Sequence, residues 1–247
     1  MRETGNKTHA AQKILSIRLR QGGLSFYMPD RGIAGGRQRD VRFVPGQPLP
    51  EQFAAAFDDC MDCADGASFD LVRVFVDTAD TVYVPRELLP SARASEWLVR
   101  MGVYPAEGSE VLVTEDTDGV CAVFPVERGI VSWLERRTGG RMEWRSPMHE
   151  MLAAFRRARV SGACLAAYPT QEQLYVAGYD AGGVLTLAEV YPLQGAADMV
   201  YYLYGLSEGR RDTALYVYGD RPVRYAGTLA RYFDRVAELR PVRAATK

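Results

Sequence analysis

Cys60 and Cys63 stand at C-x-x-C spacing, which serves either a redox dithiol or half of a zinc site. A redox pair needs a helix N-terminus, where the dipole lowers a thiol's pKa. Here Leu49, Phe53, Ala56, Phe57 and Cys60 recur at helical spacing, so the cysteines fall at the C-terminal end of a helix. Asp58, Asp59 and Asp62 beside them raise a thiol's pKa. Zinc needs two more ligands, and no second C-x-x-C exists. The expectation is two small, partly buried side chains. His149, one of two histidines, follows Ser146 by three residues with Glu150 beside it; the other, His9, lies in the polar N-terminal stretch. A nucleophilic serine needs a strained turn of the G-x-S-x-G kind, which is absent, so nucleophilic catalysis is not expected. Ser146-Pro147 reads instead as an N-cap with proline in the first helical turn. The stretch 31–37 (RGIAGGR) lacks the G-K-[ST] of a phosphate loop and leads into a strand, so it reads as a hairpin loop.

Tyrosine is the other chemically suggestive residue. Eleven of the fourteen lie between Tyr168 and Tyr232. Tyr201 and Tyr202 are adjacent in a helical stretch, so they point to different faces, one toward a core and one outward. Tyr is enriched at protein interfaces because it offers rigid, amphipathic area. The expectation is a protein partner bound through the tyrosine-rich second half.

The elements that would position these residues repeat. Residues 13–20, 24–28 and 39–44 read as three strands with a Gly22-Gly23 turn between the first two, and 48–63 as a helix. The same order returns in 162–206 as CLAAYP, QLYVAGYD, GVLTLAEVYPL and then GAADMVYYLYGL. After the first copy come a buried-strand run at 71–76, strands at 81–84, 110–114 and 120–126, helices at 92–101 and 127–137, and a short strand at 141–145. A helix at 146–159 ends at Ser161-Gly162. After the second copy come a strand at 214–218, a helix from about 223 to 236 and a strand at 238–243. Each half is thus a mixed α/β unit of order β-β-β-α-β-α-β. The domain reading is a tail at 1–12, a first ribonuclease-H-like domain at 13–160 with a small insert at 77–119, and a second at 161–247.

Composition narrows the class. A net charge of −1 argues against a nucleic-acid surface. No run of about 18 apolar residues is present, so no membrane insertion is expected. The N-terminal stretch lacks the apolar core of a secretion signal. Four irregularly spaced cysteines do not make a disulfide framework, and the expected location is the cytoplasm.

Two such units in tandem, with extra material after the fourth strand of the first, resemble the actin-like ATPase superfamily, in particular the pilus-assembly protein PilM, the type II secretion protein GspL and the cell-division protein FtsA. The segments LSIRLRQGGLSFYMPD, LVRVFVDTADTVYVPRELLP, AEVYPLQGAADMVYYLYGL and LYVYGD resemble those of a family of unknown function, DUF3822. The resemblance implies an actin-like ATPase fold holding a magnesium nucleotide between two hairpins, each of whose first strands ends in Asp-Gly. The matching positions here are Gln21, Gly22 and Gly23 in the first hairpin, Thr170 and Gln171 in the second, and Gly219 and Asp220 in the adenosine turn. The first hairpin keeps its glycines but has no acid. The second has neither, and Pro169 removes an amide donor. Asp77 and Asp220 end the two fourth strands and are the candidate metal ligands; the alternative is that each caps a turn. The expected protein is a catalytically degenerate actin-like binding or scaffold module without a cofactor. The alternatives are an ATP-binding or ATP-hydrolysing enzyme using Asp77 and Asp220, and an assembly partner of a membrane complex, as PilM and GspL are.

Overall fold

The computed structural model describes residues 13–28, 37–63, 69–89, 94–115, 119–219 and 223–240. In chain order the elements are β1 (Ile14–Arg20), β2 (Gly23–Met28), β3 (Arg37–Arg42), α1 (Leu49–Cys63), β4 (Leu71–Asp77) and β5 (Val82–Pro85). A single 3-10 turn (Arg86–Leu88) leads to α2 (Ala94–Arg100), β6 (Ser109–Glu115), β7 (Val120–Glu127), α3 (Arg128–Thr138), β8 (Met142–Arg145) and α4 (Pro147–Ala158). The rest comprises β9 (Cys164–Pro169), β10 (Gln173–Tyr179), β11 (Leu185–Pro192), α5 (Ala196–Leu206), β12 (Ala214–Tyr218), α6 (Val223–Leu229) and β13 (Arg235–Leu239). By its contacts the chain forms two compact units, 1–74 with 129–143, and 75–128 with 144–247.

The two five-stranded sheets have the same strand order: β3-β2-β1-β4-β8 and β11-β10-β9-β12-β13. Each therefore reads third, second, first, fourth, fifth along its own stretch of chain. In the first unit, β1 alternates so that Leu15, Ile17 and Leu19 are buried while Ser16, Arg18 and Arg20 turn to the other face. On α1, Phe53, Ala56, Phe57 and Cys60 are buried at the i, i+3, i+4, i+7 positions that form one helical face. Trp133 of α3 meets Phe53 and Phe57 edge-on, at 5.7 and 5.1 Å between ring centroids. Those contacts hold α1 and α3 together. The entry to α1 is fixed by Gln52, whose Oε1 accepts from Val44 N at 2.6 Å and whose Nε2 donates to the Gln47 carbonyl at 3.0 Å.

In the second unit the central strands β9 and β10 are almost wholly buried. A sheet covered on both faces calls for continuous apolar runs, and CLAAYP and QLYVAGY supply them. Met148, Met151, Leu152 and Phe155 of α4 pack with Tyr168, Tyr175 and Tyr179 on one face. Met199 and Leu203 of α5, with Leu229 and Phe233, pack with Leu165, Leu174, Val176 and Leu215 on the other. The three-stranded sheet β5-β7-β6 carries α2 over Val82, Val84 and Val123. It takes in β7, so its strands continue past the expected end of the insert at 119.

The chain ends differently from the sequence expectation. The helix expected over 223–236 stops at Leu229, and the strand expected at 238–243 begins at Arg235. Leu229, Phe233 and Val236 are spaced like one helical face, but Phe233 plugs the core from a turn whose amide bonds to the Leu229 carbonyl at 2.9 Å. Val236 then pairs with Leu215 in a parallel ladder. Three apolar residues do not distinguish a helix from a turn followed by a strand.

Gly23 opens β2 directly opposite Arg42 of β3. A Cβ there would lie 2.2 Å from the Val41 carbonyl oxygen. Gly23→Ala is expected to lower stability by about 2 kcal/mol or more, as overpacking does, whereas exposed Gln21→Ala stays within about 0.5 kcal/mol. Urea denaturation midpoints of the two variants check this.

Candidate binding site at the second hairpin

Asp77 ends β4 with only 1% of its surface exposed. Its Oδ1 accepts from Tyr175 Oη at 2.9 Å and from Thr170 Oγ1 at 3.2 Å, partners 98 and 93 residues further along the chain. The β9–β10 turn is closed on itself by Thr170 N donating to the Gln173 carbonyl at 2.8 Å and Gln173 N donating to Thr170 Oγ1 at 3.1 Å. The carboxylate therefore ties the end of β4 to the turn of the second hairpin, rather than capping a turn of its own.

Tyr83 lies beside this carboxylate. Burial pushes its phenol well above the ordinary range, the Asp77 charge adds to that, and the bond to Ser146 works the other way. Tyr83 Oη and Ser146 Oγ are 2.6 Å apart. Ser146 caps α4: its Oγ accepts from Met148 N at 3.3 Å, and its own N–H donates to His149 Nδ1 at 3.1 Å. Accepting that bond places the proton of a neutral imidazole on Nε2. Ser146 and His149 are thus a capping pair at a helix start.

A pocket of about 430 Å³ opens beside the turn, lined by Thr170 and Gln171, by residues 193–196 at the entry to α5, and by Tyr225 of α6. Just before α5, Asp198 Oδ2 accepts from the amides of Gln194 at 2.8 Å and Gly195 at 3.2 Å. The pocket is lined by uncharged side chains, and the Asp198 carboxylate accepts from the two amides just before the helix.

Of the residues singled out in the sequence, Asp77 and Thr170 are joined directly, and Thr170 and Gln171 share the pocket. Gln21, Gly22 and Gly23 form the β1–β2 turn of the first unit, where the Gly22 carbonyl accepts from Phe43 N at 3.0 Å. Gly219 follows β12 at φ 134°, next to the ring of Tyr168, which meets Tyr218 edge-on at 4.7 Å. Asp220 lies outside the described residues, as do His9 and the stretch 31–36. Among the described residues, no three His, Cys, Asp or Glu side chains gather as a metal site would require. Cys60, Cys121 and Cys164 are buried. Tyr201 is exposed at 76%, while Tyr202 stacks on Tyr191 at 4.4 Å, so adjacent tyrosines take opposite roles. Sequence reasoning missed Tyr175 and residues 193–196. Tyr175 reads as one more apolar strand position, and no local signal reveals the acceptor its hydroxyl meets.

Paired sheets of one strand order, with a small sheet and helix inserted after the first unit's fourth strand, make up an actin-like ATPase fold. A Bacteroides thetaiotaomicron protein with that fold and unknown function is similar over 92% of this chain and 90% of its own, at 17% identity and a TM-score of 0.70. A chain of the PilM–PilN type IV pilus biogenesis complex is similar over 92% of this chain and 88% of its own, at 11% identity and a TM-score of 0.55. The DUF3822 family, proteins of unknown function, matches residues 2–208, and this chain belongs to that family. No curated protein matches it.

Tyr175→Phe removes one of two hydroxyl donors to a buried carboxylate and is expected to cost about 2 kcal/mol, read from chemical denaturation. Burial holds the Cys164 thiol up at about 11 and raises that of Cys121, and alkylation needs the thiolate. Iodoacetamide at pH 8 should therefore leave Cys60, Cys121 and Cys164 unmodified in the folded protein and modify all three once it is unfolded, as read by peptide mass spectrometry.

Proposed function

We infer that this chain is a non-hydrolysing actin-like protein that works as a binding or scaffold module. The observation that carries the reading is the state of Asp77. A magnesium ligand in this fold must face water and phosphate with its oxygens open to the ion's hydration shell. Asp77 is buried instead, with Oδ1 engaged by the hydroxyls of Thr170 and Tyr175. The hairpin turns support the same reading. The first presents Arg20 and Gln21 where an acid would stand, and the second presents Pro169, which has no amide proton, and Thr170, whose amide is spent within the turn. A triphosphate is also disfavoured beside α5, where Asp198 holds the amides of Gln194 and Gly195 and puts a negative charge in the first helical turn. The residues around the pocket suit a small neutral polar molecule better than a magnesium nucleotide.

A second reading is a partner-binding role comparable to that of the PilM–PilN complex, with the tyrosine-rich half as the contact. What favours it is Tyr201, exposed at 76%, with Tyr204 and Tyr232 partly exposed and 6.0 Å apart between ring centroids. No described helix is long and apolar enough to cross a membrane. The buried free thiols Cys121 and Cys164 fit a reducing compartment such as the cytoplasm.

Phosphate release from magnesium-ATP is the deciding measurement. Release is expected to stay at the no-protein blank, with no saturable heat on titrating magnesium-ATP into the protein. Turnover that depends on magnesium, saturates with ATP and falls at least tenfold in Asp77→Asn would replace this reading with that of an ATPase.

A further inference from the structure

The small sheet has a surface unlike the rest of the chain. Between residues 80 and 128 there are nine Asp or Glu against four Arg and no Lys, a net charge of −5 in a chain whose total is −1. The same stretch holds five of the twelve exposed large apolar side chains among the described residues. Three of them, Val99, Met101 and Tyr104, are exposed at 47, 63 and 76% and fall within six consecutive positions at the end of α2. An apolar cluster inside an acidic field costs solubility unless something covers it, and it marks an interaction surface.

β6 adds the geometry. In the order β5-β7-β6 it pairs with β7 alone, so among the described residues no strand takes up its outer row of N–H and C=O groups. Its seven residues, SEVLVTE, contain no proline or lysine, and its register with β7 shows no bulge, so of the usual guards of an edge strand it carries only glutamates. Strand alternation puts Val111 and Val113 on the side covered by α2 and Glu110 on the opposite side. Glu110 and, before the strand, Glu107 have no cation partner among the described residues.

We propose that the β6 edge accepts an extended, basic segment of a partner protein as an added strand. Its apolar side chains lie with Val113 on the side covered by α2, and its lysines or arginines face Glu110 on the other side and Glu107 before the strand. The negative field selects against nucleic acid and anionic lipid, and main-chain pairing with side-chain alternation selects for an extended peptide. The proposal is independent of the nucleotide question, since neither β6 nor α2 lines the pocket or holds Asp77.

The test is to pan a library of random displayed dodecapeptides on the full chain, with counter-selection on Val113→Glu/Met101→Ser. Binding of the enriched peptides is then measured by fluorescence anisotropy. Enriched sequences are expected to be net positive with alternating apolar residues, and to weaken at least tenfold on Glu107→Lys/Glu110→Lys and between 50 and 300 mM salt. N-methylating the amides along one edge of the peptide should abolish binding, while methylating the other edge spares it. Acidic or uncharged winners would overturn the proposal, as would no enrichment over the counter-selected variant or equal loss on methylating either edge. Self-association of the chain that the same substitutions abolish, seen by sedimentation, would also overturn it, because the edge would then be filled by a second copy. Unchanged thermal melting of the variants separates loss of the surface from loss of the fold.

Discussion

A carboxylate taken out of water needs hydrogen-bond donors, and Asp77 finds two for its Oδ1 inside the second compact unit, the hydroxyls of Tyr175 and Thr170. The consequence spreads outward. Thr170 is fixed, so the β9–β10 turn is fixed, and with it the wall of the adjoining pocket. Tyr83 is kept protonated by the same burial and the same charge, so its hydroxyl is a steady partner for Ser146 at the start of α4. One buried charge thus organises the end of β4, the second hairpin, the insert's first strand and a helix cap.

The same constraint is what supports the proposed non-hydrolysing reading. Catalysis of phosphoryl transfer needs acids that remain open to a metal and amides that remain open to phosphate. Here Asp77, the described acid at the end of a fourth strand, is buried against Thr170 and Tyr175, and the amides of Gln194 and Gly195 beside the pocket are held by Asp198. The frame of an ATPase is kept because its strand order and cores do not depend on those groups. Buried leucines, valines and aromatics on both faces of the second sheet hold it regardless.

The repeated unit was legible in the sequence because it is written in short-range signals. Alternation in β1, continuous apolar runs in β9 and β10, and the i, i+3, i+4 spacing in α1 each report local geometry together with one face of burial. The capping role of Ser146 was equally legible, since proline after serine fixes a helix start. The end of the chain was misread because Leu229, Phe233 and Val236 fit a helix as well as a turn and strand, and only pairing with β12 decides between them.

Residue identity and spacing alone determined the raw material of the strands and the acidic, apolar character of residues 80–128, while the resemblance to actin-like ATPases implied where acids would stand in the two hairpins. They could not determine what Asp77 does, because Tyr175 and Thr170 lie more than ninety positions away and approach it only through packing. Nor could they reveal that Asp198 occupies the amides at the pocket, or that β6 is left at an edge. A side chain's chemistry is set by its type, but its protonation, partners and access to water are set by what the fold brings beside it.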